Sequence, residues 1–124
     1  MSGILKRIEF IASLIPTESV ALSSGDIQLT YASLLVEVQK RVSWLDEVES
    51  KVVALHLDNS IEWVLLDLAC QEMGLVFIPL PAFFTPDQIQ HCVISAGVDT
   101  LLSDQRGLPD ELSTLFVEAH CYLG

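Results

Sequence analysis

The side chains best suited to chemistry in this 124-residue sequence are three histidines, three cysteines and a scatter of carboxylates. Two dipeptides, His91-Cys92 and His120-Cys121, have the residue types of a metal site. Neighbouring residues on a helix point about 100° apart, so His91 and Cys92 do not turn toward one ion. A Cys–His nucleophile pair needs an accessible thiol of low pKa. Cys92 instead shares helical spacing with Ile89, Val93 and Ala96, an apolar stripe. Asp58-Asn59-Ser60 is better placed. It ends a strand-like run and opens a helix, where doubly wound folds put ligands and free N–H groups attract anions. No glycine there lets a phosphate approach, and Asn59 is accounted for as a helix cap. The sequence therefore assigns no catalytic, no cofactor-binding and no metal-ligating residue.

The elements around these residues are legible from Lys51 to Asp104. Val52, Val53, Ala54, Leu55 and Leu57 make an apolar run, as expected of a strand covered on both faces. Asn59 caps the next helix, with Glu62 at the capping-box position. Ile61, Val64, Leu65, Leu68 and Ala69 give that helix its apolar stripe, and Gly74 ends it as a left-handed residue. Residues 75–80 form a second strand. Pro79 and Pro81 donate no ladder hydrogen bonds, so the strand is expected to be short or at an edge. Thr85-Pro86-Asp87-Gln88 is a capping box with proline in the first helical position, and Gly97 stops the helix. Thr100-Leu101-Leu102 is the third strand. Alternation of this kind predicts an α/β fold, a parallel βαβαβ core with right-handed crossovers and flanking helices.

Before this core, Ile4, Leu5, Ile8, Ile11 and Ala12 predict a helix over 3–15, ended by Pro16. Two β-prone runs, 20–22 and 27–29, flank Ser23-Ser24-Gly25-Asp26 and predict an N-terminal β-hairpin. Thr30 caps a helix with Tyr31, Leu34, Leu35, Val38, Val42 and Leu45 inward, and Glu37, Lys40, Arg41 and Asp46 on its wet side. Residues 46–50 read as a charged loop. After Asp104 the signals weaken: 105–109 read as loop, 110–115 as a short helix and 116–122 as a last strand. The expected organisation is one α/β domain or subdomain over 1–124. It has an N-terminal helix (1–16), a core (20–104) and a weakly defined tail (105–124).

The net charge is −11, and residues 52–124 carry −9 of it, with Arg106 as their only Lys or Arg. Such a surface repels phosphate backbones and anionic lipid, which argues against nucleic acid and membrane-surface partners. No run approaches the ~20 apolar residues of a membrane span. Cys70, Cys92 and Cys121 are odd in number and widely spaced, as free thiols in a reducing cytoplasm would be. The hydrophobic share, 51%, fits either a dense core or a surface meant to be covered.

Leu29-Thr30-Tyr31, Asn59-Ser60-Ile61-Glu62-Trp63, Gly74, Pro79, Thr85-Pro86-Asp87-Gln88 and Ser95-Ala96-Gly97 occur in that order. In order and spacing, residues 20–104 resemble the N-terminal segment of the adenylate-forming (AMP-binding) acyl-CoA synthetases. The resemblance implies a place in the large N-terminal domain of such an enzyme. It implies ATP-dependent activation of a carboxylic or fatty acid through an acyl-adenylate, then thioester formation. ATP, Mg2+ and CoA are implied for a full-length member, none of them held by this chain. The family's Gly/Ser/Thr-rich Pro-Lys loop, aromatic-Gly-x-Thr-Glu segment, ribose aspartate and C-terminal lysine have no counterpart here. Ser23-Ser24-Gly25 looks like half of the phosphate loop, but Asp26-Ile27 follow it, and an acid there repels phosphate.

The chain is therefore expected to be a scaffold fragment of an acid–thiol ligase, inactive alone. Its expected partner is the remainder of the ligase domain or a second copy, with Phe83 or Phe84 in the contact. A free-standing α/β interaction domain without catalysis is the alternative, and an unrelated acidic receiver-like module a third.

Overall fold

The computed structural model describes residues 3–16, 18–25, 27–57, 61–81, 83–103 and 114–116, the last three as backbone only. Helix α1 (Gly3–Ser13) precedes an antiparallel hairpin, β1 (Val20–Ser24) and β2 (Ile27–Thr30). Ser24 pairs with Ile27, and Gly25 takes φ +58° in the tight turn between them. Thr30 ends β2 and also caps α2 (Tyr31–Glu47), accepting the Ser33 N–H at 3.1 Å. The alternating part follows as β3 (Val52–His56), α3 (Ile61–Met73), β4 (Val76–Pro79), α4 (Pro86–Ala96), β5 (Thr100–Ser103) and β6 (Thr114–Phe116).

The second sheet is wholly parallel, in the order β4-β3-β5-β6. β4 is its edge strand: Val76 and Leu80 donate their N–H groups to the Lys51 and Leu55 carbonyls, so the Pro79 nitrogen between them lies on the open side, where no N–H is needed. Leaving β3, the chain steps one way to β4 through α3. It then crosses back over β3 to β5 through α4. Two right-handed crossovers in opposite directions put α3 and α4 on opposite faces. The burial pattern agrees. Val53, Leu55 and Leu102 join the core built with α1, α2, α3 and the hairpin, whereas Ala54 and Leu101 pack with Ile89 and Leu80.

The two faces are unequally covered. α3 buries Ile61, Glu62, Leu65, Leu66, Ala69 and Cys70, and each fully covered leucine is worth about 1.5–3 kcal/mol. α4 buries only Ile89, with Cys92 and Val93 half-covered, and Ala96 is exposed rather than inward. Trp63 meets the Phe77 ring edge to face at 5.6 Å, locking α3 to β4. The Thr85 box forms as expected, with Gln88 N–H to Thr85 Oγ1 at 3.2 Å and Thr85 N–H to Gln88 Oε1 at 2.8 Å.

Several expectations need correction. α2 runs on to Glu47, so residues 46 and 47 are helix and not loop. Glu37 and Arg41 are buried, 6% and 1% exposed, not on the wet side. Ile11 faces outward, because α2 and α3 cover only the Leu5–Ile8 side of α1. Thr114 and Leu115 belong to a strand, drawn into the sheet by pairing with Leu101 and Leu102. Asp58, Asn59, Ser60 and most of the tail, His120 and Cys121 included, lie outside the described residues.

Candidate functional site

The strand order reverses between β3 and β5, and the carboxyl ends of strands at such a switch point are the usual ligand position. His56 and Ser103 end those strands, opposite each other in register. Both are fully buried, with Nδ1 and Oγ 3.2 Å apart, on the face that α4 covers. Sequence reading passed over this pair, whose only signal was two polar residues ending apolar runs. At the other end of the same strands the Ser50 hydroxyl lies 2.7 Å from Thr100 Oγ1, and Thr100 donates to Asp99 at 2.7 Å. The Asp99 carboxylate also takes the Lys51 and Val52 N–H groups. Burial works to raise this carboxyl, but the bonds from Thr100, Val52 and Lys51 outweigh it and hold it below its ordinary 3.8.

The second polar cluster is the Arg41 guanidinium between two carboxylates. Nε and Nη2 donate to Glu62 at 3.0 and 2.6 Å, a bidentate pair from α2 to α3. Nη1 donates to the Glu37 carboxylate and to the Glu37 carbonyl, at 3.0 and 2.9 Å. Lys40 reaches Glu37 from the surface at 2.9 Å. Burial tends to raise the Glu37 carboxyl. The hydrogen bonds and charges of Lys40 and Arg41 win and hold it below its ordinary 4.5. A pocket of about 120 Å³ opens beside this cluster, lined by Lys40, Arg41, Trp44, Glu62 and Leu66.

None of these groups suits a triphosphate, which needs cations or a row of N–H groups turned toward it. Arg41 is enclosed by carboxylates, Lys40 is paired, and Ser23, Ser24 and Gly25 form the end and turn of the hairpin. Among the described residues no three His, Cys, Asp or Glu side chains come together to hold a metal. His91 is exposed and Cys92 half-buried on α4. The Cys70 thiol is pushed up to about 12 by burial and by the Asp67 charge, which makes it inert. Phe83 is 80% exposed, and Phe84 turns inward against the Ile89 cluster. No helix among the described residues is long and apolar enough to cross a membrane.

A parallel sheet wound on both faces behind a hairpin, with Glu62 and Trp63 of the recurring motif spent on packing, defines a class. It is the N-terminal part of an adenylate-forming domain. The chain belongs to the AMP-binding enzyme family, whose model matches residues 12–121. A Streptomyces griseus protein called Protein Y is 34% identical over 76 residues, 59% of this chain and 25% of that protein. The Klebsiella oxytoca NpsA N-terminal subdomain, solved with 3-hydroxybenzoyl-AMSN, superposes with a TM-score of 0.77 at 21% identity, covering 94% of this chain and 30% of that subdomain's chain. A mutant coronafacic acid ligase from Pectobacterium brasiliense gives 0.74 at 18%, covering 82% and 21%. These two likenesses establish the fold. The chain spans about a third or less of each protein named here.

Proposed function

We propose that this chain is the opening scaffold of an acyl-activating ligase of the acyl-CoA synthetase type. In that reading the parent enzyme joins a carboxylic acid to ATP as an acyl-adenylate, releases pyrophosphate and passes the acyl group to a thiol such as CoA. ATP, Mg2+ and the thiol are held by other parts of the parent, and the enzyme works in the cytoplasm. The carrying observation is the family match over residues 12–121, together with cations that are committed to carboxylates. NpsA, whose structures hold acyl-AMSN compounds, supports the carboxylic-acid class.

The role of these residues is then mechanical. They fix a sheet whose α4 face is only partly covered, leaving Val76, Phe83 and Ile94 exposed at 54%, 80% and 72%. The next layer of the parent covers that face.

The purified 124-residue chain is expected to show no ATP–pyrophosphate exchange with any carboxylic acid, and measurable exchange sinks the proposal. Coding sequence read past Gly124 gives an independent test. A Gly/Ser/Thr-rich loop ending in Pro-Lys within about the next hundred residues supports the ligase reading. Its absence favours a non-catalytic interaction domain.

A further inference from the structure

Helix α1 has more apolar surface than the described residues cover. At about 100° per residue, Ile4, Leu5, Ile8 and Ala12 occupy one arc, which packs on α2 and α3. Arg7, Phe10, Ile11 and Leu14 occupy the adjacent arc, at spacings of three, one and three residues. This second stripe faces solvent: Phe10 is 64% exposed, Ile11 44% and Leu14 69%. Leu14 continues the last turn, its N–H donating to the Ile11 carbonyl at 3.0 Å. Only Lys6, Glu9 and Ser13 remain for a polar arc, and a helix apolar on so much of its circumference is built to be covered on two sides.

The charges of α1 indicate what covers it. Cations are favoured at the C-terminal end of a helix and anions at its start. α1 has no acid in its first turn and no base in its last, and its two cations, Lys6 and Arg7, lie in its first half. The Leu5 N–H is met by Glu72 of α3 at 3.1 Å, which supplies the missing acid at the start. Nothing described here supplies a base at the end, where Glu18 follows instead. An antiparallel second α1, centred on Phe10 and Ile11, brings Arg7 and Lys6 of each copy beside the last turn of the other. It also closes both apolar stripes about one two-fold axis.

We infer that the Arg7–Phe10–Ile11–Leu14 face of α1 is a self-association surface, on which a second copy of this chain packs its own α1 antiparallel. The Phe83 tip is the contact expected from sequence, but it offers one exposed ring, set edge to face at 5.7 Å on a Phe84 that turns inward. The α1 face lies beyond α2 and α3, on the side of the sheet away from α4, so it stays available when the α4 face is covered. One short helix pair is a small interface, below the roughly 1,200 Å² of standard ones, so association is weak.

Sedimentation velocity of the 124-residue chain from about 10 µM to 1 mM reads this directly. The average mass should climb toward a dimer. Phe10→Glu and Leu14→Glu should each abolish the rise while leaving the far-ultraviolet circular dichroism unchanged, since both side chains are exposed. Arg7→Glu should weaken the dimer by about tenfold or more, and Arg7→Lys should retain it. A monomer throughout the range overturns the inference. So does a dimer lost on Phe83→Glu but kept on Phe10→Glu. Cross-links from α1 to later residues of the same chain in a longer parent protein also overturn it, by giving the stripe to an internal partner.

Discussion

Arg41 shows how a charged side chain can occupy a core position. Leu34, Val38, Arg41 and Leu45 are spaced four, three and four apart, the rhythm of a buried stripe, and all four are buried. Glu62 does the same in α3, with Leu65, Leu66 and Ala69. The pair was legible in spacing and hidden by residue type, since Arg and Glu are almost never fully buried unless paired. Removing one member leaves a buried charge alone, whereas removing both leaves an apolar contact beside Glu37, which keeps its ion pair with Lys40. Arg41→Met should therefore cost about 3–5 kcal/mol, and Arg41→Met with Glu62→Leu should recover most of it. Urea midpoints of the two single variants and the double variant check this, and additive losses contradict it. Acid acts on the same chemistry. Glu37 and Asp99 have folded values below their ordinary 4.5 and 3.8, so they favour the folded state fully above about pH 4.5. That contribution is lost as pH falls through their lowered values. The midpoint should thus drop below pH 4.5, and Asp99→Asn should flatten the part of that drop due to Asp99.

At the scale of elements, three helices end in the same way. After α3 the Leu75 N–H returns to the Cys70 carbonyl, and after α4 the Val98 N–H returns to Val93, each around a left-handed glycine, Gly74 or Gly97. After α2 the Ser50 N–H returns to Leu45, but the left-handed residue is Glu49, at φ +55°. The glycines made two of these stops legible in sequence. The third is invisible because a glutamate stands where glycine is favoured, so sequence alone ends α2 too early. Glu49→Gly should raise stability by roughly 0.5–1 kcal/mol by removing that strain. Gly74→Val should lower it by about 1–2 kcal/mol through backbone conformation alone, since a Cβ at Gly74 meets nothing within 4 Å. Thermal unfolding of both variants decides. A destabilised Glu49→Gly protein would show that the glutamate side chain outweighs its backbone cost.

Across the whole molecule, the two faces of the parallel sheet differ in what holds them. The order of strands and helices was legible because caps and glycines mark nearly every joint. The strength of packing was not, since the apolar spacing of α4 promises four inward residues and the fold buries only Ile89 among them. Ile94 stays 72% exposed on that helix, and the edge strand beneath shows Val76 at 54%. An element with one buried anchor opens at lower free energy than one with six, so α4 and α3 should behave as separate cooperative units. Native-state hydrogen exchange of the 124-residue chain should find the α4 amides opening at least about 2 kcal/mol below those of α3, roughly thirtyfold faster exchange. Ile94→Asp should leave the global midpoint nearly unchanged, because that side chain is 72% exposed among the described residues. When the chain is carried within a longer adenylate-forming protein, α4 protection should rise toward that of α3, as the uncovered face gains its neighbour. Equal protection of the two helices in the isolated chain would mean that Ile89 and the half-buried Cys92 and Val93 suffice. The α4 face would then need no further layer.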